Sequence, residues 1–584
     1  MKKNQIRKSL AALAMAAVVS VSLLGYGCSS PASSGSSTGV SGEFTGSAKG
    51  MGGDVTVTLT LTDGVITGCT AEGKDETPGI GTMALEQLPT AIAESGSIAV
   101  DGVSTATITS DAIKEAAAAA LTAAGLNPED YKTEVKVEQT KAEDSTLDAD
   151  IVVVGAGGAG MTAAITAASE GKSVVIVESQ PMVGGNSVRA TGGMNAAKTV
   201  YQDENEFGES AGVEKTLAAA AEKYADNETI TALAKTVSEQ WTAYQANPTG
   251  YFDSVELMEL DTLIGGKGVN DPALVETLCE NSADAIDWLE EHGITLHSVS
   301  SFGGASVKRI HRPVNAEGKT VSVGSYMIPL LEENCQKAGV QILLNTTATK
   351  ILTDANGAAV GIEATGSTGE TVTVNAKSVV LASGGFGANL DMVVKYKPEL
   401  KGFMTTNAAG IQGQGIEMAT AIGAETVDMD QIQIHPTVEA NTAALITEGL
   451  RGDGAVLINA EGKRFIDEVG TRDVVSAAEI AQTGSYSWLV VDQAMADASS
   501  VIQGYIKKGY TAEGATYEEL AKAIGVDEAT FAETMNNWNQ CVADKTDAEF
   551  GRTSFANPLD TAPYYAIKVT AGVHHTMEIG RAHV

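Results

Sequence analysis

The sequence has few basic residues: 38 Lys and Arg stand against 74 Asp and Glu, a formal net charge of −36. A field of that sign repels phosphate backbones, so nucleic acid is not expected as a partner. The five cysteines are scattered and show neither a C-x-x-C-H motif nor metal-ligand spacing, so neither c-type haem nor a metal site is expected. Aromatic residues make up only 5% of the 584 residues, whereas 63 glycines indicate a tightly turned, multidomain α/β protein.

The N-terminus is typical of an exported protein. A basic region precedes the short apolar run LAALAMAAVVSVSLLG, and Gly27 and Cys28 follow it. This pattern resembles a bacterial lipoprotein signal over residues 1–28, with lipid attachment at Cys28 and a flexible Ser/Gly tether over 29–42. We therefore expect an exported, membrane-anchored or cell-surface bacterial lipoprotein that contacts the membrane through its lipid alone.

A small α+β unit is predicted over residues 43–133. Strict alternation from Val55 to Thr62, followed by Asp63-Gly64, predicts a β-hairpin with one buried face. The hydroxyl-rich stretch DGVSTATITS precedes an alanine-rich run, which predicts a helix with Ser110 as its N-cap. A charged linker is expected over 134–147.

The strongest pattern is a dinucleotide-binding fingerprint. A strand over 151–154 enters G-x-G-x-x-G at 155–160, a helix follows, and a second strand over 174–177 ends at Glu178. The glycines allow the backbone to approach a pyrophosphate, the helix N-terminus attracts its charge, and the acid accepts hydrogen bonds from a ribose. Further glycine-rich turns at 184–187, 192–193 and 384–385 suggest a larger cofactor.

This arrangement, together with GKGVNDPALVETLCENSADAIDWLEEHGI and GGASVKRIHRP, resembles the soluble fumarate reductases and flavocytochromes c, kin to the flavoprotein subunit of succinate dehydrogenase. The resemblance runs from about residue 148 almost to the end. It implies a Rossmann-type FAD-binding domain (148–430), an inserted α+β capping domain (431–573) and a returning FAD-domain segment from 574. The FAD contacts expected on this resemblance are Gly155, Gly157, Ala159, Gly160, Glu178, Gly184, Gly185, Asn186, Ser187, Thr191, Gly192, Gly193, Gly384, Gly385, Gln414 and His575.

A cluster of cationic and imidazole side chains stands out in this acidic chain. QIHPTV, TEGLRGDG and VGTRD contain His435, Glu448, Arg451 and Arg472. Such a cluster can bind a small carboxylate. The dipeptide 463–464, Lys-Arg, has no assigned role and is expected in a solvated turn.

The family resemblance assigns roles to this cluster. It implies that the substrate is bound by His435, Thr447, His574 and Gly192, that Glu448 and Arg451 relay protons, that Arg472 donates the proton, and that His575 lies near the flavin. The implied reaction is reduction of the C=C bond of an α,β-unsaturated carboxylate, fumarate to succinate in the first instance, with hydride from FAD N5. Because the pKa of arginine lies above about 12, the donated proton must be replaced promptly.

The stretch DGVSTAT also resembles the attachment sequence of FMN-binding domains, and ETPGIG at 76–81 fits the same pattern. The resemblance implies FMN esterified through its phosphate to Thr107. That FMN brings in electrons where relatives carry a haem domain. A membrane or extracellular electron donor is expected, and the protein is expected to be a monomer.

Three alternatives stay open. The pocket can take another enoate, such as urocanate, methacrylate or a cinnamate-like acid. The FAD scaffold is shared with 3-ketosteroid dehydrogenases, although these usually rely on tyrosines. The chain can also be an electron-carrier lipoprotein without substrate chemistry.

The last residues, IGRAHV, can be encoded by the start of a common sequencing adaptor. The family continues beyond HHTMGG, so an incomplete gene is expected.

Overall fold

The computed structural model describes residues 39–74, 76, 81–103, 106–132, 141–300, 305–316, 318, 320–552, 555 and 557–576, without the side chain of Thr107. The predicted signal sequence with Cys28, the tether up to residue 38, residues 134–140 of the predicted linker and residues 577–584 therefore lie outside the described residues. Among the described residues, no helix is both long enough and apolar enough to span a membrane.

The first unit is a three-stranded antiparallel sheet covered by two helices. Its elements are β1 (Gly42–Lys49), β2 (Asp54–Thr62), β3 (Val65–Glu72), α1 (Gly81–Ser95) and α2 (Thr107–Ala123). The sheet order is β1-β2-β3. The predicted hairpin is confirmed: alternate residues of β2 from Val55 to Leu61 are buried, and both Asp63 and Gly64 have positive φ, as a tight two-residue turn requires.

The second unit is built on a six-stranded sheet of order β10-β11-β12-β4-β5-β9. The elements of the second unit, in chain order, are β4 (Ser145–Val154), α3 (Gly158–Ser169), β5 (Val174–Val177), β6 (Met194–Asn195), α4 (Ser210–Lys223), α5 (Glu228–Ala246), α6 (Val255–Gly265), α7 (Pro272–Glu280), α8 (Ser282–Glu291), β7 (Ser298–Ser300), β8 (Ile310–Arg312), α9 (Val323–Lys337), β9 (Gln341–Leu343), β10 (Thr347–Thr353), β11 (Ala359–Thr365), β12 (Thr371–Leu381), α10 (Leu390–Tyr396), β13 (Met404–Thr405) and α11 (Gln414–Ala421).

The parallel strands β12, β4, β5 and β9 form the Rossmann-type centre of this sheet, and β10 and β11 extend it antiparallel. The predicted strand–turn–helix–strand order over 151–177 is confirmed, and so is the α/β fold class. The strand β4 begins earlier than predicted, at Ser145 inside the predicted linker, because residues 145–149 pair with β12.

Between β6 and β8 the chain forms a helical region with its own hydrophobic core. This region was not predicted from the sequence. Helices α4 to α7 bury one another's apolar faces around Trp241, Phe252 and Leu257. The short sheet β6-β8-β7 ties this helical part back to the rest of the second unit.

The third unit surrounds a long central strand. Its elements are β14 (Gln433–Glu439), α12 (Gly449–Gly452), β15 (Val456–Ile458), α13 (Arg472–Ile480), β16 (Ser487–Asp492), α14 (Gln493–Ala498), α15 (Ser500–Lys507), β17 (Thr511–Gly514), α16 (Tyr517–Ile524), α17 (Glu528–Asp544) and β18 (Tyr564–His575). The strand β18 pairs with β13, β14, β16 and β17. Because β13 pairs with the end of β18, His574 and His575 lie beside the second unit.

Candidate active site

The predicted dinucleotide turn lies between β4 and α3. Gly155 has φ +104°, and a Cβ there would lie 2.4 Å from the carbonyl oxygen of Ala382. A Cβ at Gly160 would lie 1.9 Å from the carbonyl oxygen of Gly155, whereas one at Gly157 would meet nothing closer than 3.7 Å. The turn is therefore packed tightly from behind and open in front. This backbone cradle fits the pyrophosphate of a dinucleotide.

The other predicted FAD segments converge on this turn. Gly184 donates its N–H to the carbonyl of Ala156 (2.8 Å), and Gly158 donates to Ser187 Oγ (3.1 Å). Gly384 and Gly185 both face the side chain of Ile411. Ala159 lies in the first turn of α3, and Gly385 follows Gly384 in the loop after β12.

Glu178 ends β5, as predicted for the acid of the fingerprint, and it is buried. Its Oε2 accepts from Ala156 N (2.8 Å) and its Oε1 accepts from Gln180 N (2.9 Å). These hydrogen bonds fix the carboxylate beside the glycine turn. That is where a ribose hydroxyl of a bound dinucleotide would be recognised.

The remaining predicted cofactor residues lie at the borders of this region. Thr191, Gly192 and Gly193 precede β6, and a Cβ at Gly193 would lie 2.4 Å from the carbonyl oxygen of His311. Gln414 begins α11, and its neighbour Gly415 packs against Ser383 of the loop after β12.

Asn407 connects the cofactor segments with the predicted substrate residues. Asn186 Nδ2 donates to Asn407 Oδ1 (2.7 Å), and Asn407 Nδ2 donates to the carbonyl oxygen of His574 (3.2 Å). His574 Nδ1 is hydrogen-bonded to Thr406 Oγ1 (2.7 Å). His575 follows, with its ring centroid 4.0 Å from that of His574. The two predicted sites therefore share one wall.

The centre of the predicted substrate cluster is an ion pair between Glu448 and Arg472. Arg472 Nε donates to Glu448 Oε2 (2.8 Å), and Arg472 Nη2 donates to Glu448 Oε1 (3.1 Å). Arg472 Nη1 donates to Gln433 Oε1 (2.7 Å). Arg451 Nη2 lies 3.6 Å from Glu448 Oε2. The structure thus places the three predicted proton-handling residues in a continuous row of contacts, with Glu448 between the two guanidinium groups.

Burial by itself would raise the pKa of Glu448, but the neighbouring His435 and Arg472 outweigh it and lower that pKa well below its ordinary value. Glu448 is therefore a carboxylate at neutral pH. Burial lowers the pKa of Arg451, since a desolvated cation is disfavoured, and it outweighs the opposing effect of the Glu448 carboxylate; the charge of Arg472 lowers that pKa further. The guanidinium that lies behind the carboxylate is therefore easier to deprotonate than an arginine in water.

The three histidines of the site are neutral at physiological pH. Burial, followed by the charges of Arg472 and Arg451, lowers the pKa of His435 to about 4. Burial and the neighbouring imidazole of His575 lower the pKa of His574 to about 2. Burial and the charge of Arg472 lower the pKa of His575 to about 4. The backbone N–H of Thr437 donates to His435 Nδ1 (3.2 Å), so the ring hydrogen is on Nε2 and faces Glu448, 3.6 Å away.

Arg464 does not lie in a solvated turn, and that prediction was wrong. It is buried and donates from Nε and Nη2 to the two oxygens of Glu468 (2.7 and 2.8 Å) and from Nη2 to Asp547 (3.0 Å). Arg552 donates to the same Glu468 (2.9 Å) and to the carbonyl oxygen of Arg451. Glu468 lies only four residues from Arg464, but Asp547 and Arg552 come from a segment distant in sequence, so the burial of this ion network, which supports Arg451, has no local signature. Lys463 is exposed.

Thr447 connects the site with the first unit. The hydroxyl of Tyr505 accepts from Thr447 N (3.1 Å), and the ring of Tyr510 lies 6.2 Å from that of Tyr505. The Tyr510 hydroxyl lies 3.9 Å from the sulfur of Met51, in the turn between β1 and β2. This line of contacts was not predicted, because the two tyrosines have no distinctive spacing.

The two sequence segments that suggested FMN also meet in the structure. Glu76 is buried and accepts from Thr109 Oγ1 (2.5 Å) and from Gly52 N (3.0 Å). Thr107 is the first residue of α2, as a phosphate at a helix N-terminus requires. The prediction that Ser110 is the N-cap was wrong, because α2 begins at Thr107 and Ser110 lies inside its first turn. The Ser110 hydroxyl accepts a hydrogen bond from Val103 N (3.0 Å).

Several residues of the site were missed from the sequence. Gln433, Thr406 and Asn407 each contact a predicted residue, yet none lies in a distinctive pattern. Gln433 has the only available signal, because it stands two residues before His435 on the same strand and such positions share a face.

Comparison with known proteins agrees with this architecture. The profile of the family described as FAD binding domain matches residues 150–252 and 241–578, and that described as FMN-binding domain matches residues 50–122. The chain is 37% identical over 497 residues to an NADH:fumarate oxidoreductase of Klebsiella pneumoniae, covering 85% of this chain and 48% of that protein. It therefore spans about half the length of that relative.

Two further relatives are similar over most of their length. A urocanate reductase of Eggerthella lenta is 33% identical over 570 residues, which is 94% of this chain and 86% of the relative. A solved structure of the open conformation of a flavocytochrome c3 fumarate reductase matches with a TM-score of 0.58 and 33% identity, over 77% of this chain and 73% of that one. The chain belongs to the FAD-binding family of fumarate reductase-like, FAD-dependent oxidoreductases, and it carries an FMN-binding domain ahead of its FAD-binding fold.

Proposed function

We propose that this protein reduces the C=C bond of a small α,β-unsaturated carboxylate, with fumarate as the first candidate. The observation that carries the proposal is the row of contacts from the buried Arg451 through the half-buried Glu448 to the half-buried Arg472, which adjoins His435 and shares a wall with the FAD segments. Guanidinium groups and neutral imidazole N–H groups together suit a carboxylate better than an uncharged ligand. Relatives named as fumarate and urocanate reductases support this reaction class.

Bound FAD supplies the hydride, and the residues of this chain supply binding and the proton. Arg472 is held by both Glu448 oxygens and by Gln433, so its guanidinium has a fixed direction. The His435 Nε2–H can donate to a substrate carboxylate without adding a charge that must be desolvated. The proton that Arg472 gives to the second alkene carbon is replaced from Arg451 through Glu448. Fixed donors of this kind stabilise charge that develops in the transition state.

The test is anaerobic, substrate-dependent oxidation of a reduced viologen, measured with fumarate, urocanate, acrylate, methacrylate and cinnamate. We expect turnover with at least one enoate and a loss of at least about 100-fold in Arg472→Gln, the scale of general acid catalysis. The Glu239→Gln variant, in an exposed pair with Lys235, is the control. Absence of turnover with every enoate, or undiminished turnover in Arg472→Gln, would overturn the proposal.

Urocanate is the second candidate substrate. The urocanate reductase relative is similar over 94% of this chain, including the FMN-binding unit. The same panel separates the two candidates through the ratio of their kcat/KM values. A dicarboxylate substrate is preferred here because the site offers two groups of donors, one around Arg472 and one at His574.

We also propose that electrons enter through FMN attached covalently to Thr107. The support is the position of Thr107 at the start of α2 and the contact of Glu76 with Thr109, two residues further along the helix. The mass of the denatured protein tests this: it should exceed the sequence mass by the FMN phosphoester, and Thr107→Val should lose that increment. Thr122→Val, at the other end of the helix, should retain it. An unmodified mass after expression with the attaching enzyme contradicts the proposal.

Finally, we propose that the protein is an exported lipoprotein, anchored at Cys28, which receives electrons as a monomer from a membrane or extracellular donor. The apolar run that precedes Cys28 supports this proposal. Labelling with a radioactive fatty acid should modify the wild type but not Cys28→Ser. Labelling of both proteins would exclude this residue as the anchor.

A further inference from the structure

Glu479 is a buried carboxyl group on the same helix as Arg472. Arg472, Ser476 and Glu479 are spaced i, i+4 and i+7 on α13, so they share one helix face. At a rise of about 1.5 Å per residue, Glu479 lies about 10 Å along the axis from Arg472. Ser476 and Glu479 have no exposed surface. The helix face that presents the proton donor therefore continues inward to a second ionisable group.

Three polar atoms in this part of the protein are buried and have no hydrogen-bond partner among the described residues: Arg451 Nε, Ser476 Oγ and Glu479 Oε2. Buried polar atoms are nearly always paired, with protein or with ordered water. The other carboxyl oxygen of Glu479 accepts from Ser487 Oγ of β16, which fixes the direction of the carboxyl group. A water molecule that accepts from Arg451 and from a protonated Glu479, and donates to Ser476, would satisfy all three atoms.

We propose that Glu479 is the proton reservoir behind Arg451 and supplies it through a water molecule held jointly by Arg451, Ser476 and Glu479. This inference rests on the proposed enoate reduction. When Arg472 forms the new C–H bond of the product, it regains a proton from Arg451 through Glu448. Arg451 in turn regains one from the O–H of Glu479, which is left as a carboxylate. A solvent proton then restores Glu479, and Ser487 lies two residues from the exposed Ser485, on the short way to solvent.

The electrostatics agree with this role. Burial raises the pKa of Glu479 to about 8, although Ser487 and the charge of Arg451 act in the opposite direction. Glu479 is thus largely protonated at neutral pH. The other titratable groups on strands packed against α13 are His435 and Glu439 of β14 and Tyr564, Tyr565, Lys568, His574 and His575 of β18. The Glu439 carboxylate is occupied by Thr442 and Asn441, and Lys568 lies over the Tyr486 ring, so Arg451 is the charge that faces Glu479.

The first test is the pH profile of turnover. Glu479→Gln keeps the volume and a hydrogen-bond partner for Ser487 but cannot give up a proton. We expect kcat at pH 7 to fall about tenfold with KM unchanged, and the fall of wild-type kcat through pH 8 to disappear; a tenfold change is modest for proton-transfer groups. Glu479→Asp should restore the pH dependence. The matched control is Glu259→Gln, which removes another buried glutamate with a raised pKa, on α6 of the helical part.

The second test does not depend on turnover. Infrared difference titration should show a protonated carboxyl band that is lost between pH 7 and 9, is absent in Glu479→Gln and is retained in Glu259→Gln. Wild-type kcat and pH profile in Glu479→Gln, with enoate reduction intact in the wild type, overturns the reservoir alone. A wild type that reduces no enoate overturns the proposed function, and in that case an absent infrared band overturns the protonated Glu479 as well.

Discussion

Removing the charge of Glu468 should destabilise the third unit strongly. Glu468 has no exposed surface and lies between the guanidinium groups of Arg464 and Arg552, which donate three charge-assisted hydrogen bonds to it. The indole ring of Trp538 lies 4.6 Å from the Arg464 guanidinium carbon and 4.5 Å from that of Arg552. In Glu468→Gln, both buried cations lose the carboxylate that they share, whereas Arg464 keeps its ion pair with Asp547.

The magnitude follows from the burial of the network. Breaking a buried ion pair on one side costs about 3–5 kcal/mol, because the remaining charge is left uncompensated. Glutamine keeps the volume and one acceptor oxygen, so we expect a loss of about 4 kcal/mol in the free energy of unfolding. For a unit of this size, each kcal/mol of lost stability lowers the midpoint temperature of thermal unfolding by about 2–4 °C, so that temperature should fall by about 8–16 °C.

The assay is urea unfolding followed by tryptophan fluorescence, since Trp538 stacks on the network itself. The midpoint should fall while the slope stays constant, because the surface exposed on unfolding does not change. Glu239→Gln removes one partner of an exposed pair and should leave the midpoint nearly unchanged. A loss below about 1 kcal/mol in Glu468→Gln would refute the view that this carboxylate compensates two desolvated cations.

Three further outcomes are expected. Gly155→Ala should weaken FAD binding at least about tenfold in equilibrium titration, because the added Cβ would lie 2.4 Å from the carbonyl oxygen of Ala382. The control Gly265→Ala, whose Cβ would meet no atom within 4 Å, should bind FAD normally. Equal affinities of the two variants would contradict the assignment of the glycine turn to FAD binding. The free energy of unfolding should fall from pH 7 to pH 4, because the unfolded chain binds protons on imidazoles whose pKa values are lowered in the folded protein. In urea titrations at several pH values, His435→Gln should make this fall with pH less steep. An unchanged dependence on pH would count against a neutral His435. Arg472→Lys keeps a charge but loses the bidentate contact with Glu448, so kcat should fall at least about tenfold in the viologen assay; wild-type kcat would show that the fixed guanidinium is unnecessary.

The two tyrosines next to Thr447 give the first and third units a continuous contact. Met51, Tyr510 and Tyr505 lie between the turn near Glu76 and the predicted substrate residue Thr447. Packed side chains thus connect the FMN-binding unit with the predicted substrate residue Thr447. The local sequence contains no sign of this contact, since Met51 and Tyr510 are more than 450 positions apart.

Local patterns were sufficient where the structure itself is local. The strand, glycine turn and helix over 151–169 and the hairpin at Asp63-Gly64 depend on neighbours within a few residues, and both were predicted correctly. Family resemblance predicted Glu448, Arg451 and Arg472 as the proton-handling group, and the structure brings the three side chains together.

The tertiary structure decided which polar side chains are buried and what they contact. Arg464 resembles a surface residue in sequence, but Asp547 and the stacked Trp538, which enclose it together with the nearby Glu468, come from a distant segment. Glu479 lies on an amphipathic helix, and only the packing of β16 encloses it and gives it a raised pKa. The physical reason is the same in both cases: desolvation depends on neighbours that the fold brings together, and no local run of residues specifies them.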